Sequence, residues 1–245
     1  MSRDRILLFA QRAAAYLYPR RCPFCREVLR SDKSQVILCP SCAVRARTLA
    51  HNPPRLPLSE HVFYAVHGAA SAYYYEDEVR QAILLCKLHG NPWLAREMTD
   101  LTAICLFGAR PAGQAGGCPD YEAPGGLRPY DCIVPVPPRQ GSRSGPRLPE
   151  LMARRLGQIL HLPVCRDLRA VKPMLPQKSL SLRERLLNQR DGYALRSGSS
   201  VIGRRILLVD DVITSGATVS ACALALFQGG AADVFAASIA VDEEH

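Results

Sequence analysis

The chain has 245 residues, 48% of them hydrophobic, with a mean hydropathy of −0.03 and a formal net charge of +9 at neutral pH. That length holds one domain of ordinary size plus a small appendage, and the absence of an apolar run of membrane-spanning length excludes a helical membrane protein in favour of a soluble globular chain. The positive balance is mostly arginine and predicts an anionic partner, nucleic acid or polyphosphate, with a solvated basic surface as the plainer alternative.

Ile6, Phe9, Ala13 and Leu17 recur at helical spacing and predict a short amphipathic N-terminal helix. The apolar stretch from Ile6 to Ala10 is broken by Gln11 and Arg12, too short for the core of a secretion signal, so a cytoplasmic protein is expected. Two knuckles follow, Cys22-Pro-Phe-Cys25 and Cys39-Pro-Ser-Cys42, with residues 26–38 between them. A C-x2-C turn offers two thiolates, and two such turns supply the four soft ligands of tetrahedral zinc. A disulfide pair needs an oxidising compartment, and a redox centre needs one such knuckle on a helix after a strand, so a closed structural zinc site is the stronger reading. Cys86, Cys105, Cys118, Cys132, Cys165 and Cys222 are scattered in mostly apolar surroundings and read as small buried hydrophobes.

Residues 46–60 carry Pro53, Pro54 and Pro57 and read as a linker, after which an α/β order begins. Val62–Val66 and Ala70–Tyr75 read as a strand pair turning around Gly68. Glu76–Leu88 reads as a helix with an apolar face of Val79, Ile83, Leu84 and Leu88, and Trp93–Leu106 as a second helix. Residues 108–129 hold six glycines and four prolines and read as a mobile insertion. Asp131–Val134 starts a buried strand, Leu148–Leu160 a helix, Leu168–Val171 a strand, Leu180–Leu187 a helix or ordered loop, and Tyr193–Leu195 a strand. Arg139, Arg143, Arg147, Arg154 and Arg155 crowd one stretch opposed only by Glu150, and no aromatic residue falls between Tyr130 and Tyr193. Such a surface would contact phosphates without stacking bases.

The segment Ile206–Thr218 carries the strongest signal. Ile206–Val209 is a continuous apolar run, as in a strand buried on both faces, and a last strand is expected at Asp233–Val241. Asp210-Asp211, Thr214-Ser215-Gly216 and Thr218 then precede a helical run from Ala217 to Phe227, closed by Gly229-Gly230. A loop opening a helix favours an anion, because first-turn N–H groups lack partners and the helix dipole is positive there. Thr214, Ser215 and Thr218 add hydroxyl donors, and Gly216 lets the backbone approach a phosphate. Two acids repel a phosphate but suit the hydroxyls of an attached sugar, so a ribose 5-phosphate satisfies both halves. The alternative is a polar surface turn between a core strand and a core helix.

Val209-Asp-Asp-Val-Ile-Thr-Ser-Gly-Ala-Thr218 resembles the phosphoribosyl pyrophosphate (PRPP) signature of type I phosphoribosyltransferases. The knuckles ahead of it, Leu84-Leu-Cys-Lys-Leu-His-Gly90, Asp131-Cys-Ile-Val-Pro-Val-Pro137 and Gln177-x2-Leu180-x4-Arg185-x2-Asn188 extend the likeness to the competence protein F family, over about residues 5–242. The segment Arg143-Ser-Gly-Pro-Arg-Leu148 departs from it, lacking the family's Phe-Asn-Gln.

The resemblance implies a type I phosphoribosyltransferase fold, a central mostly parallel sheet flanked by helices, over residues 61–245, with residues 1–50 as an N-terminal helix and zinc-ribbon module holding zinc on Cys22, Cys25, Cys39 and Cys42. It implies that Asp210 and Asp211 hold the ribose, and that Thr214, Ser215, Gly216, Ala217 and Thr218 anchor the 5-phosphate. Pro135, Val136 and Pro137, with Arg139, Arg143 and Lys87, would face the pyrophosphate, and Gln177, Arg185 and Asn188 would form a mobile hood. Magnesium would accompany PRPP. The implied role is a PRPP- or ribose 5-phosphate-binding protein in DNA uptake, with single-stranded DNA and a competence or replication-restart helicase as candidate partners. An active transferase of nucleotide salvage is the second reading. A purine-responsive regulator is a third, disfavoured by the zinc-ribbon-like N-terminus.

Overall fold

The computed structural model describes residues 20–29, 37–50, 65–89, 91–115, 118–124, 129–138, 147–171, 192–198 and 201–242. The amphipathic helix expected near residues 6–17, the strand start at 62–64, most of the 46–60 linker and the 180–187 segment lie outside them. So do Arg139, Arg143, Gln177, Arg185 and Asn188.

Four strands form one parallel sheet in the order β1 (Gly68–Tyr74), β8 (Asp233–Val241), β7 (Arg205–Ile213), β4 (Cys132–Pro135). Parallel neighbours cannot be joined by a tight turn, so helices cross between them and cover both faces. The alternation of β7 divides the core. Leu207 and Val209 pack with α2 (Asp77–His89), α3 (Pro92–Phe107) and α4 (Leu148–Leu160), whereas Ile206 and Leu208 pack with α5 (Ala217–Gln228). The knuckle residues Cys22, Phe24, Cys39 and Cys42 share the first of these cores, as do Ala46 and Leu49 of α1 (Pro40–Leu49).

Three expectations change. Gly68 opens β1, which pairs in parallel with β8, so it is not the turn of a hairpin with Val62–Val66. Residues 46–49 belong to α1 rather than to a linker. The buried face of α2 is Val79, Ala82, Ile83 and Cys86, an i, i+3, i+4, i+7 stripe that leaves Leu84 and Leu88 exposed on the other side of the helix.

The Gly/Pro-rich stretch also differs from a mobile insertion. Strands β2 (Arg110–Ala115) and β3 (Cys118–Glu122) pair antiparallel. The hairpin is fastened to α4: Ala123 N–H donates to the Ile159 carbonyl at 3.1 Å, Tyr121 is buried, and Asp120 accepts from Arg155 Nη1 at 2.8 Å. A second antiparallel pair, β5 (Leu168–Ala170) with β6 (Tyr193–Leu195), lies over α5.

Candidate functional site

β7 does not stop at Val209. It runs through both acids to Ile213, held by β8 pairs Asp210↔Ser238 and Val212↔Ala240. Side chains on a strand alternate, so Asp210 follows Ile206 and Leu208 toward α5, and Asp211 follows Leu207 and Val209 toward α2. The electrostatics agree. Burial pushes the Cys222 thiol of α5 up, and the Asp210 charge pushes it further. On the other face, Lys87 Nζ in the last turn of α2 lies 2.7 Å from Asp211 Oδ1. Asp210 Oδ1 also accepts the Asp211 N–H at 2.8 Å. The two acids therefore serve opposite faces of one strand end, and only one of them meets the lysine.

Beyond Ile213 the chain turns through Thr214 and Ser215, both exposed, to Gly216. Gly216 has φ of 75°, a left-handed conformation that a Cβ would strain, and it caps α5 with no side-chain hydrogen bond. The first-turn amides of α5 thus face the turn with hydroxyls beside them, Thr218 being half-buried. Pro135 is level with Val209, and Val136 N–H donates to the Val209 carbonyl at 2.9 Å, which sets Pro135, Val136 and Pro137 beside the acids at the carboxyl edge of the sheet. That edge is where open parallel sheets bind ligands. The structure thus brings together Asp210, Asp211, residues 214–218, residues 135–137 and Lys87. It sets Lys87 against Asp211.

The four knuckle sulfurs lie within 4.8 Å of one another, with Cys25 and Cys39 Sγ 3.6 Å apart. Zinc–thiolate bonds of about 2.3 Å in a tetrahedron require sulfur separations of about 3.8 Å, so the donor set fits zinc. Cys22 N–H donates to the Glu27 carbonyl and Arg26 N–H to the Cys22 carbonyl, closing the first knuckle with Arg26 at φ of 65°. The second knuckle runs straight into a helix: Cys39 is the N-cap of α1, Pro40 its first residue, and Ala43 N–H returns to the Cys39 carbonyl. Burial pushes the Cys22 and Cys42 thiols up. Burial acts the same way on Cys39, but hydrogen bonds from Ser41 and the Cys42 amide outweigh it and bring that thiol to about 7.

The arginine stretch divides. Arg155 is buried on α4, its Nε 2.5 Å from Asp100 Oδ1 and its Nη1 2.8 Å from Asp120 Oδ1, so it is no part of a surface for nucleic acid. Glu150 pairs with Arg154 and also with Arg166. One turn before Asp100 on α3, the buried Glu97 is gripped by Arg20, just ahead of the first knuckle, through Nε and Nη2 at 2.9–3.0 Å. Burial raises the carboxyls of Glu97 and Asp100, opposed by these arginines. Nothing local in the sequence pairs these residues into a network. The acids Glu97 and Asp100, on one helical face among apolar residues, were its only trace.

No family model matches the chain. It is 29% identical over 219 residues to DNA utilization protein YhgH of Escherichia coli O6:H1, covering 87% of this chain and 86% of that protein. It is 28% identical over 139 residues to competence protein F of Haemophilus influenzae, covering 55% of each. Among solved structures, a glutamine PRPP amidotransferase from B. subtilis overlaps 45% of this chain and 22% of its own, with a TM-score of 0.31 and 20% identity. An allosteric regulatory enzyme of purine biosynthesis overlaps 59% of this chain and 25% of its own, with a TM-score of 0.34 and 18% identity. The chain thus spans about a fifth to a quarter of those two larger chains. The architecture stands on the strand order itself. The resemblance to the competence protein F family is borne out by the two sequence relatives and by the four-cysteine cluster.

Proposed function

We propose that this chain, a relative of the competence protein F family, binds PRPP or a ribose 5-phosphate compound at Asp210–Thr218 and acts in DNA uptake and processing. One observation carries the ligand reading. The end of β7 sets two acids immediately before an exposed hydroxyl-rich turn and an α5 N-terminus with no side-chain cap. The 5-phosphate would take the α5 amides with the Thr214, Ser215 and Thr218 hydroxyls, and the ribose hydroxyls would donate to Asp210 and Asp211. Residues 135–137 would face the pyrophosphate, with Arg139 and Arg143 following in sequence and Gln177, Arg185 and Asn188 as the hood. The DNA role follows the names of the two relatives, with single-stranded DNA and a helicase as candidate partners. The module at residues 1–50 would be the zinc-bearing part and residues 61–245 the ligand-bearing part.

The second reading is an active transferase. Loss of pyrophosphate from PRPP leaves a cation-like ribose, so the chemistry asks for placed charge rather than a nucleophile from the protein. Asp210 and Asp211 would stabilise the positive ribose. Magnesium, when bound, would neutralise the leaving pyrophosphate. The acids diverge and Asp211 already meets Lys87, so the fit is to a magnesium carried mainly by PRPP oxygens rather than to a site built by the protein.

Thermal melting with ribose 5-phosphate tests the ligand reading. The melting temperature rises with ligand by mass action, and Thr214→Ala with Thr218→Ala removes the shift. Asp210→Asn with Asp211→Asn weakens ribose 5-phosphate by tenfold or more while leaving inorganic phosphate nearly unchanged, a difference of about 1.4 kcal/mol. Equal weakening of both ligands would mean that the acids do not read the sugar. Pyrophosphate release from PRPP across a panel of bases separates the transferase from the binding protein.

A further inference from the structure

We infer that metal occupancy of the four-cysteine cluster sets the ligand affinity of the Asp210–Thr218 site, with α2 as the strut between them; the inference rests on the ribose-phosphate reading above. Helix α2 has 13 residues, a rod about 20 Å long. Its first turn is held by the cysteine module: Arg45 of α1 lies 2.9 Å from Asp77 Oδ2 and 2.9 Å from Glu78 Oε1. Its last turn delivers Lys87 to Asp211.

Between these ends the buried face of α2 (Val79, Ala82, Ile83 and Cys86) and the knuckle residues Cys22, Phe24, Cys39 and Cys42 belong to one continuous apolar core. Phe24, inside the first knuckle, meets Tyr73 of β1 edge-on, with ring centroids 6.1 Å apart at 82°. Cys86, next to Lys87, feels the charges of both Arg26 in the first knuckle and Asp211 in the site.

The exposed Arg45 contacts alone are weak, so the coupling has to run through packing. The described part of the module has one regular element, α1, and its two knuckles touch through four sulfurs. Zinc on those sulfurs fixes the knuckles relative to each other, and with them Phe24, Arg26 and Arg45. Without zinc these residues lose their fixed places against α2. The lysine at its far end is then no longer held at the acid that reads the sugar.

Coupling of this kind is reciprocal: if zinc tightens ligand binding by some factor, ligand tightens zinc binding by the same factor. Two measurements on the full chain test it. Calorimetric titration with ribose 5-phosphate compares the zinc-loaded protein with the same protein after chelation, and a colorimetric chelator competes for zinc with and without saturating ribose 5-phosphate. Both should change by about fivefold or more, in the same direction. In Lys87→Met, which leaves the cysteines intact, the factor should collapse toward one while zinc stays at one equivalent per chain. Equal ribose 5-phosphate affinity with and without zinc overturns the coupling and leaves the site standing. No binding in either state removes the site reading as well. If the chelated protein unfolds, the competition experiment decides alone, and a zinc affinity unmoved by ribose 5-phosphate overturns the inference. A factor unchanged in Lys87→Met overturns the route through α2.

Discussion

Two acidic regions of this molecule treat their charges in opposite ways. Glu97 and Asp100 of α3 are buried, and each is met by an arginine from a distant segment, Arg20 or Arg155. Asp210 and Asp211 sit half-buried at a strand end, diverge to opposite faces, and open onto an exposed turn. Removing a carboxylate from water is costly unless guanidinium hydrogen bonds replace the lost hydration, and Arg20 and Arg155 supply part of that replacement to the two acids of α3. At the end of β7, Asp211 meets a half-exposed lysine instead of a buried guanidinium. The first arrangement ties distant segments together. The second places its acids at the sheet edge, beside an exposed turn.

The largest expected effect breaks the first region. Arg155→Met leaves buried Asp100 with only the longer 3.8 Å approach of Arg96 and removes the Asp120 tie of the β2–β3 hairpin. Unfolding by denaturant should show a loss of about 3–5 kcal/mol, the usual result of removing one partner of a buried ion pair. The fraction that remains folded should bind ribose 5-phosphate as before. A loss under about 1 kcal/mol would mean that this arginine is in practice a surface group.

The same contrast explains what could be read in advance. Elements with local signals were legible: α4 and β8 fall at the expected residues because Pro149 and Gly230 punctuate clear periodic runs. The hydroxyl-rich turn before α5 was legible because its hydroxyls and glycine are contiguous. The buried network was not, since Arg20 and Glu97 are 77 positions apart and Arg155 and Asp100 are 55 apart, and nothing local pairs them. Arg155 looked like its neighbour Arg154 because only the α4 face distinguishes them. The hairpin is illegible for another reason: glycine and proline content at this density usually marks mobile chain, and the contacts that hold the strands come from α4, far along the sequence. Nor does the sequence mark that β7 runs on past Val209, which is what sends the two acids to opposite faces.

A second prediction uses pH on the same comparison. Burial raises the folded-state carboxyls of Glu97 and Asp100, so folding takes up protons at these groups. Their contribution to stability therefore improves as pH falls from neutral through their folded values, and levels off near the unfolded values of about 4. Glu78, Asp120 and Asp131 are lowered and act in the opposite sense, contributing above their unfolded values and losing that contribution as pH falls through their folded ones. Asp131 owes its shift first to the Arg205 hydrogen bonds; for Glu78 and Asp120 the arginine contacts overcome a burial effect of opposite sign. The informative quantity is the difference between the wild type and Glu97→Gln with Asp100→Asn between pH 7.5 and 5. The variant should gain on the wild type at the upper end and lose that advantage at the lower end. A difference independent of pH would show the two carboxyls titrating alike in both states.

The smallest effect is expected at the site itself, and its smallness is the point. Asp211→Asn keeps the side-chain shape, removes the attraction to Lys87, and leaves β7 paired on both sides through its backbone. Lys87 is 42% exposed, so its charge stays solvated without the acid, and the ion pair is of the kind that contributes about 0–1 kcal/mol. Relief of repulsion between adjacent carboxylates works in the other direction, so denaturant unfolding should place the variant within about 1 kcal/mol of the wild type. Ribose 5-phosphate binding should fall much further than stability does. That separation, ligand affinity lost and fold retained, marks an acid kept for something outside the chain. A loss of stability comparable with that of Arg155→Met would put Asp211 in the same class as Asp100, and the strand end would then be an internal tie rather than a binding edge.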